Sequence, residues 1–538
     1  MLIADTLRAR RLAALVWIAA GAAFMVVIAY GYIQEVDSYP GGAPAMGAAL
    51  EAAAQAMRLL RWPAERLDTF GGYITYHNVT VVALGLGVWG AIQGASLLRG
   101  TRAEGQLEYV LAAGYPRWRI LVSRVAGFVI ILLLVTAGIG MGLAAATAVA
   151  GAFDLSGSMI TMASVGLAAL ACFGLGLATG QMGGTARSAA GLASALIAGL
   201  YLLTNIWEEV GWIGGLRYLS PFYFSNQSRD LVPGQSVDLT AMGLIIAMTV
   251  GAVGFSAWAF QQRDLREPLW RLPTRVTGTA PSAHTVTVRS YFWSESSRTK
   301  VGLIAWSLGA ASVIGLVAWL EPVVVDVWDE LGFSDFLSGS KSGASVADQY
   351  FSFASQLVAL VVAAYAITQA AGWVAEMRDG RVEMLLAQPV SWQRLILLRM
   401  LVTSIGVIAI SLAAAAGMAA GAAAVDTSLD PSGLVRSIPV TLMLGLAIAG
   451  LGAVLVAWIP TATSVIVLSV VTFASYLLAF VVPLFDLPDW SANLSLFGAY
   501  GQPYLESPDA GGMLLLTALI LAGGFVAPRL AQHFPKVT

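Results

Sequence analysis

The chain has 538 residues, 58% of them hydrophobic and only 11% charged, with a formal net charge of −2 and a mean hydropathy of +0.77. Such a composition lies well outside the soluble range and marks a membrane protein; the net charge says nothing about nucleic acid, and no basic patch interleaved with aromatics suggests a nucleic-acid partner. A single cysteine, Cys172, and three scattered histidines, His77, His284 and His533, exclude an intrachain disulfide and leave no metal-ligand spacing.

In chain order, twelve stretches of about 20 apolar residues are each long enough to cross a hydrocarbon core of ~30 Å. They predict spans near 12–33, 74–98, 120–150, 155–180, 184–206, 236–260, 301–320, 351–374, 395–425, 434–458, 461–485 and 511–528. The third and ninth are long enough to contain breaks. The lead MLIADTLRARRL is short and basic ahead of a first span too long for a secretory signal, and reads as an uncleaved anchor. With the N-terminus in the cytoplasm, only Arg58, Arg61, Arg66, Arg217, Arg229, Lys341 and Arg436 of the 29 basic residues fall outside. That bias supports twelve spans and places both termini in the cytoplasm.

Residues 1–262 then form one six-span half and 301–538 the other, joined by 263–300, a polar stretch rich in Arg, Pro, Ser and Thr that suits a cytoplasmic connector. Six is even, so the halves share one orientation. The expected fold is an all-α membrane protein built as a parallel 6+6 duplication with short cytoplasmic helices. Among the outer loops, 34–73 holds EAAAQAMRLLRWPAERL. Its Met57, Leu60, Trp62 and Leu67 suggest an amphipathic piece lying on the outer interface. The counterpart, 321–350, is acidic. The aromatics of 207–235 (Trp207, Trp212, Tyr218, Phe222, Tyr223) and of 486–510 (Trp490, Phe497, Tyr500, Tyr504) read as interfacial belts.

One cytoplasmic segment occurs twice, 275 positions apart. EGQLEYVLAAGYPRWRILVSR begins at Glu104 and DGRVEMLLAQPVSWQRLILLR at Asp379. Gly105/Gly380, Glu108/Glu383, Leu111/Leu386, Ala112/Ala387, Arg119/Arg394 and Arg124/Arg399 superpose without a gap. The frame persists downstream, where Leu219-Ser220-Pro221-Phe222 falls on Leu494-Ser495-Leu496-Phe497. In each copy an acidic pair and a leucine (Glu104, Glu108, Leu111; Asp379, Glu383, Leu386) share one side of a helix at three- and four-residue spacing. Gly105 and Gly380 permit a tight entry, and Pro116 and Pro389 mark the helix ends. A polar helix repeated in register between membrane spans predicts two equivalent docking points for a cytoplasmic partner.

Energy for transport must come through such points. The three lysines, Lys300, Lys341 and Lys536, follow Thr, Ser and Pro, so no Gly-Lys dipeptide exists to build a phosphate-binding P-loop. The charged residues can all be placed in loops or at span ends, which argues against an ion-coupled carrier with a titratable group at mid-membrane depth. A secondary drug transporter of twelve spans, running on an ion gradient through backbone and hydroxyl ligands, stays the alternative. No nucleophile elbow, histidine pair or carboxylate dyad supplies a catalytic site.

The sequence EGQLEYVLAAGYPRWR and its echo DGRVEMLLAQPVSWQR resemble the coupling helix of ABC transporter permeases of the type-2 exporter class. The two-half layout, Leu-Ser-Pro-Phe at 219–222 and Arg263-Asp264-Leu265 resemble actinobacterial permeases described as polyketide antibiotic exporters. The resemblance implies a multi-pass permease of the bacterial cell membrane paired with two copies of a separate ABC ATPase. ATP and magnesium would bind to that partner, with no cofactor in this chain. It implies ATPase coupling through Glu104, Gly105, Glu108, Leu111, Pro116, Arg117, Asp379, Gly380, Glu383, Leu386 and Pro389. It also implies a pathway for a hydrophobic small molecule along the second, fifth, eighth and eleventh spans, where Trp89, Gln93, Tyr201, Phe351, Gln356, Tyr365, Gln369 and Tyr476 could contact a bulky amphiphile. Gly114-Tyr115-Pro116 stands where the family pattern has Pro-Val-Ser, and Trp392 where it has a basic residue, so the two docking points are expected to be unequal.

Overall fold

The computed structural model of the chain describes residues 2–56, 64–97, 110–182, 186–206, 211–262, 288–322, 324–325, 345–378, 380–388, 390–484 and 495–532. All regular structure among them is helical. The chain divides into two compact units, Met1–Thr277 and Gly278–Thr538.

Unit 1 comprises α1 (Leu2–Ser38), α2 (Gly42–Ala56), α3 (Phe70–Leu97), α4 (Arg117–Val149), α5 (Leu155–Met182), α6 (Ala186–Ile206), the short α7 (Pro221–Ser225) and α8 (Leu239–Gln262). Unit 2 comprises α9 (Val288–Trp319), α10 (Val346–Arg378), the short α11 (Arg381–Leu386), α12 (Trp392–Ala424), α13 (Pro431–Trp458), α14 (Ala462–Leu484), the short α15 (Leu496–Tyr500) and α16 (Ala510–Ala531). Among the described residues, eleven helices are long and apolar enough to cross a membrane. The fifth expected span, 184–206, forms α6, whose apolar part Ala189–Asn205 is shorter than the rest, because it opens on Arg187 and Ser188. The third and ninth spans contain no break. α4 and α12 are continuous over 33 residues each, about 50 Å at 1.5 Å per residue, and outrun a ~30 Å core. The polar stretch expected as a connector up to residue 300 is already helical from Val288.

Lipid gives apolar helices no solvent-driven reason to associate, so their contacts rest on close packing, and small residues supply it. Within unit 1, α1 packs on α4, α3 on α5, α6 on α3 and α8 on α5; within unit 2, α9 packs on α12, α10 on α13 and α16 on α13. Gly142 on α4 sits against the backbone of Ala22, and Gly417 on α12 sits against the backbone of Ala311, so a Cβ at either would overlap the facing helix. These glycines are 275 positions apart. Gly90 and Gly94 of α3 likewise meet backbone atoms of Ala169 and Phe173 on α5. Outward-facing Leu133, Leu134, Met141, Val250 and Leu412 are exposed, as suits lipid. Buried charges within the spanning helices keep to helix ends: Arg124, Arg399 and Glu295.

The second span contains a π-turn at Thr75–Val79. Thr80 Oγ1 donates to the Thr75 carbonyl at 3.1 Å, answering a backbone acceptor that lipid cannot.

The outer segments differ from the expectation of interfacial belts. Phe222, Phe497, Tyr500 and Tyr504 are buried, although Tyr218 is exposed. Leu67, expected on an amphipathic surface piece, is fully buried beside Ala54 and Tyr76; Met57, Leu60 and Trp62 lie outside the described residues. These side chains build two small caps, tied down by hydroxyls. In unit 1, Ser220 starts α7 and accepts from Thr204 Oγ1 of α6 at 2.6 Å, while Ser164 Oγ of α5 donates to the Ser225 carbonyl at 3.0 Å. In unit 2, Ser495 caps α15 by accepting from Gly498 N–H at 3.0 Å and donates to the Ser475 carbonyl of α14 at 2.6 Å; Thr441 of α13 meets the Tyr500 hydroxyl at 3.1 Å. Tyr504 accepts from the Asp430 N–H at 3.1 Å, and burial pushes its phenol up to about 12.

Gly417→Val forces α9 and α12 apart and is expected to cost about 1–3 kcal/mol as an overpacked contact. A lowered thermal midpoint of the purified protein checks this; an unchanged midpoint would remove the close-packing account of that pair.

Candidate functional site

The repeated segment is best seen in unit 2. α10 runs to Arg378, Asp379 lies outside the described residues, and Gly380 turns the chain with φ 68°, a left-handed conformation that favours glycine. α11 follows, and after Pro389 (also outside the described residues) Ser391 caps α12, its side chain accepting from Arg394 N–H at 3.3 Å. Val382 of α11 is 2% exposed and packs on Leu395 of α12, with Leu385, Leu386, Met377, Trp392 and Leu398 closing a small apolar cluster. The opposite face carries Glu383, exposed, and Met384, 66% exposed. α11 is therefore anchored by one side and offers a carboxylate and a thioether on the other. Leu386 is half-buried in the anchor, and Met384, which the repeat alone did not single out, is the apolar side chain on the open face.

A buried ion pair braces this elbow. Arg399, 3% exposed, lies in the third turn of α12, donates to Glu376 of α10 and stands 5.9 Å over the Trp373 ring. Glu376 also lies 3.9 Å from Arg381, the first residue of α11.

In unit 1, Glu104, Gly105 and Glu108 lie outside the described residues. Val110–Ala112 is helical, Gly114 takes φ 83°, and its N–H donates to the Leu111 carbonyl at 3.0 Å. Leu111 and Val110 are half-buried against the unit's core, in register with Leu386 and Leu385. Pro116 is exposed and starts α4 with extended φ/ψ. Arg117, grouped by the sequence with the docking residues, turns inward and donates to the Phe260 and Gln261 carbonyls at 3.2 and 3.3 Å, capping the end of α8. A guanidinium fits there because the last carbonyls of a helix lack intrahelical partners. Arg124, in register with Arg399, is buried and donates to the Leu97 carbonyl at the end of α3 at 3.0 Å. In both units, then, the same arginine joins the foot of the long third helix to the foot of the second.

The aromatic and amide residues assigned to a substrate path are placed within their own units. Trp89 lies between Trp17 (5.9 Å) and Phe128 (5.3 Å), and Tyr201 meets Phe222 edge-on at 5.5 Å. Phe351 is fully buried beside Tyr350 and Tyr504. Tyr365 is buried, its hydroxyl pressed against Gly406 of α12. Tyr476 packs edge-on against Phe497 at 5.4 Å. Gln93, Gln356 and Gln369 are half-buried. Two internal cavities of unit 2, at the α11 elbow and between α10, α12 and α13, have volumes of about 10 Å³, room for a water but not for a drug. Among the described residues no three His, Cys, Asp or Glu side chains gather to hold a metal ion.

An anchored α11 makes two expectations separable. Val382→Asp buries an unpaired carboxyl and is expected to cost about 3 kcal/mol or more, whereas Glu383→Gln on the exposed face changes stability by less than ~0.5 kcal/mol. Thermal melts of both purified variants check the contrast; equal melting points would show that α11 is not anchored through Val382.

Residues 3–261 and 297–529 match the family described as multidrug efflux system permease Rv1217c, C-terminal domain. No curated protein matches the chain significantly.

Proposed function

The chain belongs to that multidrug efflux system permease family and is a multi-pass membrane protein, and from this premise we propose that it is the membrane subunit of an ATP-driven ABC exporter of the type-2 class. In this reading α6 serves as the twelfth span, the two units are parallel six-span repeats, and both termini face the cytoplasm. Two copies of a separate ATPase dock on the repeated segments, bind ATP and magnesium, and drive the helices as rigid bodies between two access states. The cargo is a hydrophobic or amphiphilic small molecule, with polyketide-like antibiotics the class suggested by the sequence resemblance.

One observation carries the reading: α11 is a helix clamped to the protein by Val382 on one face while Glu383 and Met384 stand exposed on the other. An exposed methionine beside a carboxylate suits a groove on a protein partner better than it suits water, since flexible thioethers adapt to apolar pockets. Glu108, the register mate of Glu383, is the corresponding contact in unit 1. The chain's own lack of a P-loop leaves hydrolysis to the partner.

Charge reversal at both carboxylates, Glu108→Lys with Glu383→Lys, is expected to lower drug efflux and drug-stimulated ATP hydrolysis at least about tenfold, the scale of losing a charge-assisted contact at each site. Membrane abundance should stay at the wild-type level. Efflux at the normal rate in the double variant would defeat the docking assignment. Uptake into inverted vesicles driven by an ion gradient without ATP would instead establish the secondary-transporter reading.

A further inference from the structure

In unit 2 the docking segment is braced by three charged residues. In unit 2 the Glu376 carboxylate, near the end of α10, serves two arginines: one oxygen accepts from Arg399 of α12, and the other lies 3.9 Å from Arg381 at the start of α11. Three consecutive helices thereby meet on one side chain. Arg399 is nearly excluded from solvent and also lies over Trp373, so it has little freedom to exchange its carboxylate for water. Beside it lies one of the 10 Å³ cavities, lined by Trp373, Trp392, Arg399 and Ala453.

In the 275-residue register of the sequence, Glu376 falls on Thr101, Arg381 on Gln106 and Arg399 on Arg124. Arg124 meets a backbone carbonyl, that of Leu97, which joins α4 to α3.

We propose that Glu376 is a positioning residue for transport: it locks α10, α11 and α12 into one lever, so that a push on the exposed face of α11 is delivered to the foot of the long α12. The proposal rests on the reading of α11 as the docking helix. Gly380 is the joint at which α11 would otherwise pivot, since its left-handed turn leaves α11 attached to α10 by a single tight bend. The Arg381 link spans that joint, and the Arg399 link carries the same carboxylate to the next span. A rotation of α11 about Gly380 alone would separate Glu376 from Arg381; a shift of α10 alone would pull its carboxylate away from a buried guanidinium. Moving together avoids both costs.

The test measures extrusion of Nile red from cells carrying the full chain with its ATPase, after the wild type is shown to extrude the dye, with rates normalised to membrane abundance. Glu376→Gln keeps the shape and a hydrogen-bonding oxygen but removes the charge; the maximal rate is expected to fall about tenfold with an unchanged half-saturating dye concentration. Arg381→Gln cuts the α11 link without unpairing the buried arginine, and is expected to fall about threefold even if Glu376→Gln fails to accumulate. The double variant Glu376→Gln with Arg399→Gln should be no slower than the worse single one, because both cut the same link. A wild-type maximal rate in Arg381→Gln, or a rise in half-saturating concentration with no loss of maximal rate, overturns the lever. ATP-independent uptake by wild-type vesicles sinks the docking reading instead, and is told apart because it needs no variant.

Discussion

A guanidinium placed at the foot of a lipid-spanning helix must find its partners inside the protein, because the hydrocarbon beside it offers none. Arg124 and Arg399 meet that demand in the same place, at the end of the preceding span: Arg124 on the Leu97 carbonyl, Arg399 on Glu376. Each contact joins the facing ends of the second and third spanning helices of its unit. In unit 2 the short segment between them is thereby held at a defined position. α11 shows the outcome, with one face packed on α12 and the other open.

The remaining architecture carries that position across the membrane. α4 and α12 are unbroken over 33 residues, so a displacement at their feet is passed along a continuous hydrogen-bonded rod. Close glycine contacts hold each rod to its neighbour, at Gly142 on α1 and at Gly417 on α9. At the outer end, Ser220 and Ser495 begin short helices that hydroxyl groups of the fourth and fifth spanning helices hold in place. Closely packed elements of this kind move as bodies.

Much of this was legible in the residues. Long apolar runs announced the spanning helices, and the 275-residue register picked out Arg124/Arg399 and the serine of each outer motif before any coordinates. Other features were hidden for physical reasons. Phe222, Tyr500 and Tyr504 resemble interfacial aromatics in composition, but the caps bury them, and an amphipathic ring suits either environment. Leu67 reads in sequence as a surface leucine because helical periodicity does not say which neighbour covers a face. Arg117 shares the polar segment of the docking residues, yet the last carbonyls of α8 accept from it. α4 and α12 have room for breaks in sequence, since length beyond the membrane thickness does not reveal whether the helix continues past the lipid.

The sequence by itself determined that this is a multi-span membrane protein, which segments are apolar enough to cross, that one polar element occurs twice, and that no Gly-Lys dipeptide stands in the chain. Those properties follow from composition, length and spacing, which act locally along the chain. Only the tertiary structure decided which face of α11 is buried, that Met384 rather than Leu386 is the exposed apolar side chain, and that a carboxylate from α10 joins the arginines of α11 and α12. These depend on which helices lie side by side. The energy of a buried charge or a close-packed glycine is set by that neighbour, and no periodicity in a single strand of sequence encodes it directly.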